Sequence, residues 1–114
     1  MLGGSTPSFA APRAPKAVFR ITVAVKGTPA KSVYLNCMPD GGTHPAAHAA
    51  CGLLRRVGGD PAKLNVAPKT ACTKELKPAG VIIIGKWNGK PVKWGKVYGN
   101  ACMMKAGSGA VTAI

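Results

Sequence analysis

Four cysteines, at positions 37, 51, 72 and 102, constrain this chain more than any other feature of its sequence. Their count is even and none stands in a CxxC pair. In a chain of one domain's length they read as disulfides of the kind that persist in oxidising compartments. A zinc site is the rival, because Cys37, His44, His48 and Cys51 lie close together and both histidines fall on or beside one predicted helix. It is disfavoured: the gap from Cys37 to His44 lacks knuckle spacing, the segment after Pro45 is Ala-rich and apolar, and oxidation would consume the thiols. No metal and no other cofactor is expected.

The backbone is heavily punctuated, with 15 Gly and 10 Pro among 114 residues, which excludes coiled coils and helical bundles. Apolar Phe19, Ile21, Val23 and Val25 alternate with Arg20, Thr22 and Ala24, predicting a half-buried strand over 17–25. A second strand is expected over 32–37. Thr43 followed by Pro45 reads as a helix start, Ala46, Ala50, Leu53, Leu54 and Val57 keep helical spacing, and Gly58-Gly59 supplies the left-handed stop. Asn88-Gly89 predicts a tight hairpin between strands over 81–86 and 90–98, since a type I′ turn needs two positive φ angles. One helical turn over 102–105 and a short terminal strand over 110–114 complete the pattern. The fold class is α+β: a five-stranded antiparallel sheet with two short helices and two disulfides. Residues 1–15, with Pro7, Pro12 and Pro15 and no apolar period, read as a flexible arm before a domain over 16–114. The arm has neither the basic nor the apolar region of a secretory signal.

Several functions are excluded by what the chain lacks. Its three acids, Asp40, Asp60 and Glu75, are scattered, so paired-carboxylate catalysis has no material, and no GxSxG elbow is present. An enzyme is not expected. The longest apolar run, Val81 to Ile84, is too short to cross a membrane. The net charge of +13 demands a partner or medium that tolerates a positive field. Trp87, Trp94 and Tyr98 among Lys86, Lys90, Lys93 and Lys96 could stack bases, but Val92, Trp94 and Tyr98 share one strand face as sheet-packing residues do. Nucleic acids and other polyanions are therefore expected to bind only non-specifically.

The sharpest candidate is the segment Ala71-Cys72-Thr73-Lys74-Glu75-Leu76-Lys77-Pro78. A cysteine anchors it two residues before a long cationic side chain, and a proline limits its far side. A loop held in this way resembles a protease substrate that cannot relax. An ordinary loop cross-linked for stability is the plainer reading, and the cross-link alone would contribute about 2–4 kcal/mol.

The residues also carry a family resemblance. Leu35 to Leu64, LNCMPDGGTHPAAHAACGLLRRVGGDPAKL, is similar to the signature of the Streptomyces subtilisin inhibitor family. Ala71-Cys72-Thr73-Lys74-Glu75, Trp87-Asn88-Gly89-Lys90 and Asn100-Ala101-Cys102-Met103-Met104 join it, so that the likeness runs from about residue 17 to the end. The resemblance implies a secreted, extracellular inhibitor of serine proteases, homodimeric through sheet faces, with Cys37 bonded to Cys51 and Cys72 to Cys102. It implies a reactive bond from Lys74 to Glu75, protease contacts from Ala71, Cys72, Thr73 and Leu76, and a bracing role for Asn100. A lysine at the reactive position points to trypsin-like targets, with subtilisin-like enzymes accepting it through its alkyl stem. The charge keeps an alternative open: a cationic protein binding polyanions or cell surfaces on the same scaffold.

Overall fold

The computed structural model describes residues 14–114, so most of the expected arm over 1–15 lies outside the described residues. Five antiparallel strands form one sheet: β1 (Ala17–Val25), β2 (Lys31–Cys37), β3 (Gly41–Gly42), β4 (Ala79–Trp87) and β5 (Lys90–Tyr98), in the order β3-β2-β1-β4-β5. Helix α1 (Ala47–Arg56) lies between β3 and β4, and α2 (Ala101–Ser108) follows β5. The strand alternation sorts residues as expected. Phe19, Ile21, Leu35, Val81 and Ile83 are fully buried with Leu54 of α1, while Val18, Ile82 and Ile84 are exposed on the opposite face. Each large side chain so buried stabilises the fold by about 1.5–3 kcal/mol.

Local geometry follows the turn chemistry. Asn88 and Gly89 have φ of 49° and 81°, which closes the β4–β5 hairpin. Gly58 and Gly59 have φ of 63° and 79°, and the Gly59 N–H returns to the Leu54 carbonyl at 2.8 Å to end α1. Gly59 is required for a second reason. A Cβ there would run into the Trp87 ring, which stacks on Phe19 with centroids 6.1 Å apart.

Three expectations are corrected. Residues 110–114 form no strand: Gly109, at φ 53°, ends α2, and Gly109–Thr112 coils into a 3₁₀ turn that sends Val111 into the core. The fifth strand is instead β3, a two-residue strand that pairs Gly41 and Gly42 with Asn36 and Leu35. Thr43 does not cap α1, because its Oγ1 accepts the Tyr34 N–H at 2.9 Å. No side chain caps α1, which starts after Ala46; His44 is held just before it, its Nδ1 accepting the Ala46 N–H while Nε2 reaches the Val111 carbonyl at 3.0 Å. The second helix is also longer than the single turn expected, extending to Ser108.

Cys37 and Cys51 are bonded, joining β2 to α1 in the core, and Cys72 is bonded to Cys102. The sulfurs that a zinc site would need therefore hold each other. His44 is buried in hydrogen bonds, and His48 turns outward to Asp40 at 2.8 Å. Asp40 also accepts from both Arg55 Nη atoms and from the Met38 N–H. The Arg55 hydrogen bonds dominate, and together these donors lower the Asp40 pKa to about 2, despite an opposing desolvation effect.

Candidate functional site

Between the 3₁₀ turn Pro61–Lys63 and β4 the chain forms no helix or strand. It is nevertheless tied down at intervals. The Val66 and Ala67 N–H groups donate to the Gly107 and Ala106 carbonyls at the end of α2, at 3.1 and 2.8 Å. Cys72 is bonded to Cys102 in the first turn of the same helix. Beyond the projecting segment, the Lys77 N–H donates to Gly99 O at 2.8 Å and the Pro78 carbonyl accepts from the Lys26 N–H at 3.0 Å. Helix α2 and the end of β5 thus form the platform under the loop. Gly107 sits under the Tyr98 ring, where a Cβ would lie 3.0 Å from Cε1.

Asn100 joins platform to loop. Its Oδ1 accepts the Met103 N–H at 2.9 Å as the N-cap of α2. Its Nδ2 donates to the carbonyls of Thr73 and Glu75, both at 2.9 Å. The side chain is 5% exposed, so one amide uses both ends in a site largely shielded from water. Those two carbonyls flank the Lys74 carbonyl, which accepts no hydrogen bond among the described residues. Thr73, Lys74, Glu75 and Leu76 are all exposed, Leu76 by 82%. Among the described residues no acid pairs with Lys74. Ala71 is also exposed, and Cys72 is half-buried.

Ala71 to Leu76 thus form one exposed loop with Asn100 and Cys102 beneath it, whereas Cys37 and Cys51 lie apart in the core. The loop's attachment through Val66, Ala67, Lys77 and Gly99 was not anticipated, because backbone groups of ordinary residues leave no mark in a sequence. The loop lies in a chain segment matched by a family model: residues 16–100 match the subtilisin inhibitor-like model. The chain belongs to the subtilisin inhibitor-like family. It is 48% identical over 86 residues to a subtilisin inhibitor of Streptomyces violaceus, covering 74% of this chain and 59% of that protein. It is 42% identical over 89 residues to subtilisin inhibitor-like protein 2 of Streptomyces rochei, covering 77% and 79%. Among solved structures, Streptomyces caespitosus sermetstatin in complex with Bacillus licheniformis subtilisin is similar, with a TM-score of 0.61 and 29% identity over 86% of this chain and 96% of that one. The subtilisin inhibitor-like family is thus one of protease inhibitors, not enzymes. Among the described residues, no helix is long and apolar enough to cross a membrane.

Proposed function

We propose that this chain is a secreted serine protease inhibitor that offers the Lys74–Glu75 bond to its target as a substrate. The observation that carries the reading is the Asn100 amide, which supports the carbonyls of Thr73 and Glu75 and leaves that of Lys74 free. A loop ordered before binding loses little entropy on entering a cleft. The free carbonyl is available to the attacking serine and to the donors that receive the developing oxyanion. If the bond opens, Cys72–Cys102 on one side and the Lys77–Gly99 hydrogen bond on the other keep the new amine beside the acyl group. Re-formation then outruns hydrolysis through effective concentration.

Lys74 selects the target. An ammonium opposite a buried carboxylate favours trypsin-like enzymes, whereas an apolar pocket takes only its alkyl stem and must desolvate the charge. The sermetstatin complex supports subtilisin-like enzymes as a second class. We place Ala71, Cys72, Thr73 and Leu76 in the protease contact, and the homodimer on the exposed Ile82 and Val97 of the outer sheet face.

Titration of trypsin-like and subtilisin-like proteases, with sequencing of the cleaved inhibitor, tests this. Lys74→Ala should weaken trypsin-like binding by about 2–8 kcal/mol, and Lys69→Ala or Lys77→Ala by far less. Lys74→Met should retain or improve subtilisin binding. Cleavage at another bond, or equal inhibition by Lys74→Ala and wild type, removes the assignment. A monomeric mass by light scattering at micromolar concentration removes the dimer.

A further inference from the structure

The three acids of this chain have different duties. Asp40 accepts from Arg55, the Met38 N–H and His48, and so ties the turn between β2 and β3 to α1. Asp60 accepts the Ala62 N–H at 3.0 Å as the N-cap of the turn Pro61–Lys63. Glu75 has no such work. Its side chain is exposed and forms no ion pair among the described residues, although Lys74 precedes it and Lys77 follows two residues on. Solubility does not need it either, since a net charge of +13 already exceeds what a small domain requires.

The backbone around this free carboxylate is held. The Glu75 carbonyl accepts from Asn100 Nδ2 at 2.9 Å, and the Lys77 N–H donates to Gly99 O at 2.8 Å. The side chain thus departs from a fixed point, one residue beyond Lys74. A chain lying extended in a cleft turns successive side chains to opposite sides, so Lys74 and Glu75 would meet different pockets. Burying a carboxylate costs solvation that only a cation or converging donors return. A pocket that is apolar, or lined by acids, therefore rejects Glu75 however well Lys74 fits.

We propose that the Glu75 carboxylate is a second specificity determinant, pairing with a lysine or arginine of the target protease in the pocket that receives the residue after the scissile bond. Resting on the inhibitor reading with Lys74–Glu75 as the presented bond, this role selects among trypsin-like enzymes that share an acidic primary pocket. Lys74 calls for an acid on one side of the attacked carbonyl, and Glu75 for a cation on the other. Because the docked loop displaces water from the cleft, such a pair is stronger than one on an open surface.

The test is a double-mutant cycle on inhibition constants at fixed salt. It uses the full chain, a trypsin-like protease with a lysine in that pocket, and the same enzyme with that lysine replaced by glutamine. Glu75→Gln should weaken inhibition of the first enzyme about 10-fold and of the second less than about 2-fold. Glu75→Lys should lose about 100-fold against the first enzyme and regain most of that loss against an enzyme carrying glutamate in the pocket. Asp60→Asn makes the same change in net charge, keeps an oxygen for the Ala62 N–H, and lies with Trp87 and Lys90 at the hairpin end. It should shift both constants by less than about 2-fold. Equal losses from Glu75→Gln against both enzymes, or none against either, overturn the proposal. So does a loss from Asp60→Asn that matches the loss from Glu75→Gln, which assigns the effect to the overall field. Wild-type protein that inhibits neither enzyme, or is cut elsewhere than after Lys74, removes the inhibitor reading itself. Wild-type inhibition without coupling removes only the role of Glu75.

Discussion

The two disulfides have the same Cα–Cα distance, 5.7 Å, and opposite surroundings. Cys37–Cys51 is fully buried among Leu35, Leu54 and the rest of the core, so its sulfurs are also packing atoms. Cys72–Cys102 is half-buried and joins an exposed loop to a helix, where little else packs over it. Chain entropy alone ranks them in one order: separations of 14 and 30 residues give about 3.0 and 3.7 kcal/mol, the exposed bridge being worth more. Burial reverses that order, because removing two core sulfurs adds a cavity penalty of about 1–2 kcal/mol to the smaller entropy. The comparison teaches that one bridge acts on the fold and the other on what the fold presents.

The largest effect is expected from exchanging the two losses. Cys37→Ala with Cys51→Ala should cost about 4–5 kcal/mol in denaturant unfolding yet leave subtilisin inhibition intact where the protein is folded. Cys72→Ser with Cys102→Ser should cost about 3–4 kcal/mol and convert the loop into a substrate, seen as inhibition that decays with incubation. Equal decay in both variants would break the distinction.

Asn100 sharpens it further, since one side chain serves helix and loop together. Asn100→Ala removes the cap and two loop hydrogen bonds, about 2–4 kcal/mol in all. Asn100→Asp separates the two roles. Its carboxylate still caps α2 at the positive end of the helix but faces the Thr73 and Glu75 carbonyls with no donor. Thermal melting should place Asp above Ala in stability, while both lose durable inhibition. An Asp variant that inhibits as wild type does would show that the Cys72–Cys102 bridge suffices.

The smallest effect belongs to the buried-bridge end. The folded-state pKa of Asp40 is lowered to about 2 from 3.8, so its contribution is present above pH 3.8 and is lost as pH falls through about 2. Because His48 is solvent-exposed and Arg55 partly so, about 1 kcal/mol is expected. Asp40→Asn should flatten the stability profile in that window, measured by urea unfolding. A profile as steep as the wild type's would mean that another group carries the acid dependence.

Sequence reasoning reached furthest where a local residue pattern has a single physical solution. The alternation over 17–25, the Asn88-Gly89 turn and the Gly58-Gly59 stop depend on neighbours in the chain, and all three stand in the fold. It failed where distant segments decided. Residues 110–114 have strand-like composition, but Val111 is drawn into the core beside α1 and its carbonyl is taken by His44, sixty-seven residues away. Two glycines carry no strand propensity, yet Gly41 and Gly42 complete the sheet because β2 offers them an unpaired edge.

The candidate site divides in the same way. Along the chain alone, a long cationic side chain stands two residues beyond a cysteine in a segment with no periodicity of its own, and cations outnumber acids sixteen to three. Which backbone groups hold that segment, and which strand faces gather the charge, follows from contacts between distant parts of the fold. An amide of Asn100 meets the Thr73 and Glu75 carbonyls across more than twenty residues of chain, and Arg20 shares one sheet face with Lys86 and Lys93 only through strand register. Hydrogen bonds and fields depend on distance in space, and a chain that folds back on itself sets those distances through the packing of all its parts.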